Sequence, residues 1–358
     1  MNEDFESFFA PSRREQRRER KAASKADRSK YKLTNMRKRE EEPTPSHEKF
    51  VQGRVILIRS QDIEVATSSE TMVCTLRGTL KQERHHHKNL IIVGDLVLVE
   101  PAFQGNGVIH HVLPRTSVLS RQDHLHQIKK QLVAANVDQV LITMSIGEPH
   151  LRPSIIDRYL VAAEKGNLHP AIVINKIDLL DKYPEEKDLL TELSTLYSKL
   201  GFTILCVSAT SGEGIKQLEA LLKDKVSVFS GQSGTGKTLL VNLLTGLSLQ
   251  TQPVRSGGKG AHTTTSARLI PLPFGGWCID TPGIRSFGIW DFQAEDLLVA
   301  FPEIAEAGTK CFFKDCLHKG ESGCHVAKAL EEGAISPLRY NSYLSLLASL
   351  HETKKWYD

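Results

Sequence analysis

The run Gly231-Gln-Ser-Gly-Thr-Gly-Lys-Thr238 constrains this chain more than any other eight residues in it. Apolar residues precede it, Val226-Ser-Val-Phe229, and the stretch after it, Leu239-Leu-Val-Asn-Leu-Leu244, has one apolar face. The pattern predicts a strand, a tight turn and a helix in immediate succession. Gly231, Gly234 and Gly236 let backbone N–H groups turn inward at a helix N-terminus, where they hold phosphate oxygens. In that setting Gln232, Ser233 and Thr235 complete the loop, Lys237 reaches the β- and γ-phosphates of a nucleotide, and the Thr238 hydroxyl ligates Mg²⁺.

Two further signatures lie before this loop. Ala171-Ile-Val-Ile174 predicts a buried strand that delivers Asn175, Lys176 and Asp178 to the ligand edge of a parallel sheet. The Asp178 carboxylate can accept two hydrogen bonds from guanine N1–H and its 2-amino group, a donor pair that adenine lacks. Thr203-Ile-Leu-Cys-Val207 predicts the next strand, ending in Ser208-Ala209, whose backbone N–H suits guanine O6, and residues 212–223 predict an amphipathic helix. After the loop, Trp277-Cys-Ile279 leads into Asp280-Thr-Pro-Gly283. There Asp280 suits Mg²⁺ held through water, and the Gly283 N–H suits the γ-phosphate. Base motifs ahead of the phosphate loop reverse the Ras-like order, so the pattern implies a circularly permuted fold.

Between the phosphate loop and Asp280 lies Gly257-Gly-Lys-Gly-Ala-His262-Thr-Thr-Thr265, polar and glycine-rich, which reads as a first switch ahead of a strand over 267–272. Thr264 is the candidate hydroxyl for sensing Mg²⁺, with Thr263 and Thr265 as alternatives. The residue after Asp-x-x-Gly is Ile284, which cannot hydrogen-bond an attacking water; His262 is the nearest polar candidate for orienting it. Farther on, Cys311, Cys316, His318 and Cys324 fall within fourteen residues without apolar periodicity. Three thiols and an imidazole so spaced predict one closed tetrahedral Zn²⁺ site, with His325 as an alternative to His318. Four protein ligands leave no open position, which makes the metal structural. Cys74, Cys206 and Cys278 sit in or beside apolar strand runs and read as core residues.

Five short alternating runs between Gly53 and His111 predict a small β-barrel, of OB or SH3-like type. A basic stretch over 81–88 lies between two of them, placed to meet phosphates as a loop. Charge is uneven along the chain: residues 11–40 hold thirteen Lys or Arg against four Asp or Glu, a net of +9, although the whole chain sums to only +4. Such a tail cannot build a core, and polyanionic RNA is its expected partner. At 358 residues and 40% hydrophobic the chain suffices for several cores. No apolar run approaches the ~18 residues needed to cross a membrane, the N-terminus lacks the apolar core of a secretory signal, and the cysteine usage points to a reducing, cytoplasmic setting.

The order of motifs, the Gly231–Thr238 loop, the His262–Thr265 segment and the cysteine-histidine spacing together resemble the RsgA/YjeQ family of small-subunit-dependent GTPases. Val93-Gly-Asp95, Leu113-Pro-Arg115, Ala135-Asn-Val-Asp138 and Asp157-Arg-Tyr-Leu160 extend the resemblance to nearly the whole chain. It implies a multidomain protein. A basic tail and linker over 1–48 would precede an all-β OB-fold barrel over 49–115, a central α/β circularly permuted P-loop GTPase over 116–297 and a C-terminal helical zinc-binding domain over 298–358. The implied activity is hydrolysis of GTP to GDP, with His262, Lys237 and Thr264 in the catalytic group. That turnover would be coupled to late maturation of the small ribosomal subunit, whose rRNA is contacted by barrel, tail and zinc domain; a monomer with no membrane partner is expected. Ala261 stands where the family usually has a basic residue, and Thr238 where serine is usual. Two other readings stand beside this one: a permuted GTPase of the large subunit, a group that usually carries asparagine at the position of Gly234, and an RNA-binding scaffold locked by nucleotide. A small-molecule kinase is disfavoured, because it leaves guanine selection unexplained.

Overall fold

Alternating apolar and polar residues fold the N-terminal part of the described chain into a closed barrel of five strands: β1 (Val51–Arg59), β2 (Asp62–Ala66), β3 (Thr71–Leu76), β4 (Leu96–Pro101) and β5 (Asn106–Val112). The computed structural model describes residues 50–59, 62–78, 80, 90–122, 130–248, 267–280 and 294–354. The basic tail and its linker, the stretch over 81–88, and the two expected switches with His262, Thr263, Thr264, Thr265, Gly283 and Ile284 lie outside those residues. Strand order is β1-β2-β3-β5-β4, and β1 pairs with β4 as well as β2, so the barrel closes on itself. Closure removes free edges. The β3–β5 contact is parallel, which is the OB connectivity and not the SH3-like one. Val55, Ile63, Val65, Cys74, Val97, Val99 and Ile109 fill the interior without exposure.

A hairpin, β6 (Val118–Gln122) and β7 (Lys130–Ala135), leads into the second part of the sheet, six strands joined to β1 of the barrel by one antiparallel pairing, Leu57 with Arg268. Its order is β10-β9-β8-β11-β13-β12, from β8 (Gln139–Ser145), β9 (His169–Asn175), β10 (Thr203–Cys206), β11 (Val226–Ser230), β12 (Arg268–Pro271) and β13 (Trp277–Asp280). All but β12 run parallel. From β8 the chain winds outward through α1 (Pro153–Lys165), β9, α2 (Glu185–Lys199) and β10, then returns by α3 (Ile215–Leu222) to β11 in the middle. Strand order therefore reverses between β8 and β11, and the crevice beyond their carboxyl ends is where an open α/β sheet binds ligands.

Side chains alternate across this sheet, as the strand period of two requires. Leu141, Val173, Phe229 and Cys278 face α3 and α4 (Lys237–Thr245), where they pack with Leu218, Leu240 and Leu244. Val140, Ile142, Met144, Ile172, Ile174 and Val228 share the other core with Ile156, Leu160 and Leu193 of α1 and α2. That second core is continuous with the C-terminal helices α5 (Ala294–Ala300), α6 (Pro302–Gly308), α7 (His325–Glu331) and α8 (Pro337–Lys354), through Leu297, Phe301, Ile304, Val326 and Leu346. The expected border between 297 and 298 falls within α5, so a helix and not a linker spans it.

Two polar seams tie these parts together. Arg115 holds the buried Asp95 carboxylate through two bonds of 2.6 and 2.8 Å. Asn136 donates to the Gly94 carbonyl at 3.0 Å, and its own carbonyl accepts from Arg54 at 3.2 Å, joining barrel to hairpin. At the far side Arg339 of α8, fully buried, reaches Asp157 of α1 at 2.5 Å and Glu303 of α6 at 2.6 Å, with the Phe301 ring 4.0 Å below its guanidinium. Tyr197 of α2 donates to the same Asp157 oxygen at 2.7 Å. Burial opposes the charge on Asp157 and raises its pKa, with Arg339 acting against it. Among the described residues, no helix is long and apolar enough to cross a membrane.

Candidate nucleotide and metal sites

Every described nucleotide motif comes to the carboxyl edge of the parallel sheet. The phosphate loop leaves β11 tight against β8: a Cβ at Gly231, where φ is +145°, would lie 2.1 Å from the Thr143 carbonyl oxygen. Gly236 closes the loop at φ +84°, and a Cβ there would lie 2.3 Å from Asn175 Nδ2. Glycine is thus required at both ends. Lys237 opens α4 and folds its ammonium over the mouth of the loop, donating to the Gly231 carbonyl at 2.9 Å and to the Gln232 carbonyl. Thr238 follows, half-buried.

Asn175, the last residue of β9 and 1% exposed, joins three motifs that lie far apart in the chain. Its Nδ2 donates to the Thr235 carbonyl at 2.9 Å, and its Oδ1 accepts from the Ala209 N–H at 3.1 Å. The Ala209 N–H expected at guanine O6 thus meets Asn175. Asp178 is exposed at the same rim, where its Oδ1 accepts from the Ser208 hydroxyl at 2.6 Å. Ser208 is itself fixed, its oxygen accepting from the N–H groups of Thr210 and Ser211. Lys176 stands in the left-handed conformation at φ +65°, and burial lowers its pKa. Asp280 ends β13 across the crevice; burial raises its pKa, with the Arg268 cation opposing.

The second constellation is local. Ligand atoms of Cys311, Cys316, His318 and Cys324 all lie within 4.8 Å of one another, and no other such group occurs among the described residues. His318 Nδ1 is 3.6 Å from both Cys311 Sγ and Cys324 Sγ, and those sulfurs are 4.0 Å apart. A tetrahedral ion with metal–sulfur bonds of about 2.3 Å and metal–nitrogen bonds of about 2.0 Å sets S···N near ~3.6 Å and S···S near ~3.8 Å. The donor set fits. His325 contributes its backbone N–H, which donates to Cys311 Sγ at 3.2 Å, and it is His318 whose ring joins the cluster.

Electrostatics favour the same conclusion. Burial opposes ionisation of Cys311, yet the N–H groups of His325 and Val326 and the neighbouring thiols hold its pKa below the ordinary value. Burial and the adjacent thiols push Cys316 up to about 12. With Cys316 so raised, the three thiols do not ionise together by themselves; a cation at their centre is what would let all three act as thiolate ligands. Burial lowers the His318 pKa, which keeps the imidazole neutral as a ligand must be. Tyr340 of α8 anchors the turn by donating to the His318 carbonyl at 2.7 Å. The other three cysteines lie in strands of the cores, as expected.

Sequence reasoning missed the groups that brace these sites: the Asn175 clamp, the Arg339 network, and Glu186 with the loop over 146–150. Asp95, Arg115, Asn136 and Asp157 had a signal, since all lie in segments that carried the family resemblance.

Comparison with known proteins agrees with this architecture. The family model for the RsgA GTPase matches residues 112–290. "Small ribosomal subunit biogenesis GTPase RsgA 1" of Vibrio parahaemolyticus is 40% identical over 315 residues, covering 85% of each chain. "Small ribosomal subunit biogenesis GTPase RsgA" of Pseudomonas fluorescens is 43% identical over 290 residues, covering 80% of each. The crystal structure of YjeQ from Thermotoga maritima superposes with a TM-score of 0.67 at 35% identity, covering 84% of this chain and 99% of that one. YloQ, described as a circularly permuted GTPase, gives a TM-score of 0.67 at 26% identity, covering 87% and 99%. With the permuted sheet, the phosphate loop and the cysteine-histidine cluster all in place, this chain belongs to the RsgA GTPase family.

Proposed function

We propose that this protein hydrolyses GTP to drive late maturation of the small ribosomal subunit, acting as a cytoplasmic monomer. The observation that carries the reading is the Asn175 clamp, which holds the base motifs and the phosphate loop as one pocket although the chain order is permuted. Asp178 reads guanine N1–H and the 2-amino group, Ser208 orients it, and Lys176 lies along the base. The Ala209 N–H would turn from Asn175 Oδ1 to guanine O6 when the base binds. Backbone N–H groups over 231–236 and the Lys237 ammonium hold the phosphates, the ammonium exchanging loop carbonyls for phosphate oxygens. Thr238, Asp280 and Thr264 would hold Mg²⁺, which would supply positive charge against the phosphate oxygens. Gly283 senses the γ-phosphate, and His262 orients the attacking water that Ile284 cannot.

We read the labour as divided among the barrel over 49–115, the GTPase core over 116–297 and the C-terminal part over 298–358, the last two joined through α5 and a shared core. One Zn²⁺ per chain, held by Cys311, Cys316, His318 and Cys324, shapes the C-terminal domain. Phe312 and Phe313 stand 79% and 47% exposed on that cluster, close to Lys310, Lys314 and Lys319 in sequence. Aromatic rings among cations suit unpaired bases of rRNA, and the basic tail over 1–48 adds phosphate contacts. The named activity of the Vibrio and Pseudomonas relatives supports the same partner. GTP turnover measured with small subunits, large subunits and neither tests the reading. Stimulation by small subunits alone is expected; stimulation by large subunits, or by neither, overturns it in favour of the two alternatives.

A further inference from the structure

The loop over 146–150, between β8 and α1, holds none of the nucleotide motifs, yet it is fixed from three sides. Ile146 donates its N–H to the Asn175 carbonyl at 3.0 Å, Gly147 donates its N–H to Glu186 Oε2 at 3.1 Å, and the Pro149 carbonyl accepts from Ser145 Oγ at 3.1 Å. Glu186 lies in the first turn of α2 and is 5% exposed. Its other oxygen, Oε1, is 2.6 Å from His150 Nδ1. A buried carboxylate is costly unless its oxygens are bonded, and here both are. Gly147 has φ +79°, and a Cβ there would lie 2.7 Å from the Tyr183 ring, so a larger residue at this point would press on that ring. On the loop's outer side the Glu148 carbonyl accepts from Lys176 Nζ at 2.7 Å.

We propose that Glu186 is a positioning residue for the guanine pocket. It anchors the loop so that the Glu148 carbonyl holds the Lys176 ammonium and aligns the lysine methylenes beside the base. The inference rests on the reading of Asn175 to Asp178 as the guanine-recognition segment. A free lysine side chain loses much rotamer freedom when it is ordered against a ligand; a tethered one has lost it already, so binding is tighter. Because GTP and GDP share the base, the contribution is the same for both and absent from the chemical step.

Equilibrium binding of GDP and GTP to the full chain tests this, well below the unfolding midpoint of each variant. Glu186→Ala should weaken both nucleotides by the same factor, about tenfold, and raise KM while kcat moves less than twofold. Glu186→Gln keeps an oxygen for the Gly147 N–H and should recover most of the affinity. If the alanine variant does not fold, Glu186→Asp carries the same test, because it keeps the charge but falls one methylene short. In a Lys176→Met background, Glu186→Ala should have no further effect on binding, since its influence runs through that lysine. A folded Glu186→Ala or Glu186→Asp protein with wild-type GDP affinity overturns the proposal; so does an unequal loss for GDP and GTP, or full additivity with Lys176→Met. Asp178→Asn, measured beside them, separates the failures. If it abolishes guanine preference while Glu186 variants bind normally, only the positioning role falls; if it leaves GTP preferred, the pocket assignment itself falls.

Discussion

The cysteine-histidine cluster draws its four donor side chains from fourteen consecutive residues, whereas the candidate nucleotide site gathers groups from strand ends spread between Asn175 and Asp280. In the first, closing a short loop costs little entropy, and an ion can stand in for a hydrophobic core. In the second, no local interaction brings the groups together; the order of strands in the sheet does. That difference explains why permutation is tolerated. Asn175 bonds Thr235 sixty residues later in the chain, and the bond depends on β9 and β11 flanking β8, not on which of them comes first. The two regions meet in a shared core, where Leu297, Ile304 and Val326 pack into the same cluster as Ile142 and Leu160.

The comparison can be broken most severely at the base. Asp178→Asn replaces an acceptor with a donor facing guanine, and a mismatch of this kind costs about 10⁴-fold in discrimination. Xanthosine triphosphate, with a carbonyl at that position, should become the preferred nucleotide. Competition binding decides it, and retained GTP preference would remove Asp178 from the site without touching the metal cluster.

Next in size is the seam between the regions. Arg339→Met leaves Asp157 buried beside Tyr197 without its cation, which should cost about 3–5 kcal/mol. The double variant with Asp157→Asn should regain part of that. Urea denaturation gives the values; a loss under about 1 kcal/mol would show that the seam does not join the two regions energetically.

Smaller still is the loss of one metal ligand. Cys316→Ser should reduce bound zinc below one ion per chain and destabilise the C-terminal helices by on the order of 2 kcal/mol. Amide exchange should quicken over 311–331 while β8, β9 and β11 stay protected. Acid acts in the same direction. The folded His318 pKa lies below its ordinary 6.5, so the stability linked to its neutral form is present above that pH and lost as pH falls further. Metal release that began only at alkaline pH would contradict this ligand set.

Local elements were legible because their causes are local. Apolar runs at Val226 and Trp277 become β11 and β13, and the glycine loop sits between strand and helix as its composition requires. The helix expected over 212–223 starts only at Ile215, because Gly212 and Gly214 take positive φ and form the turn before it. The strand expected over 267–272 is shortened to Arg268–Pro271. For the metal cluster, spacing alone left His318 and His325 as alternatives, and only the folded turn separated them by aiming one ring at the thiols and the other residue's N–H at Cys311 Sγ.

From its residues alone the chain determined a permuted P-loop fold, a guanine-type signature, a small barrel and a cysteine-histidine knuckle suited to a metal, since periodicity, glycine placement and ligand spacing are properties of short segments. Tertiary structure alone decided that Asn175 clamps three motifs, that Glu186 braces the loop holding Lys176, and that Arg339 pairs with Asp157 across 182 positions. Such contacts leave no periodic trace in a sequence, because what selects them is the desolvation cost of a buried polar group, and that cost exists only once the surrounding elements have packed.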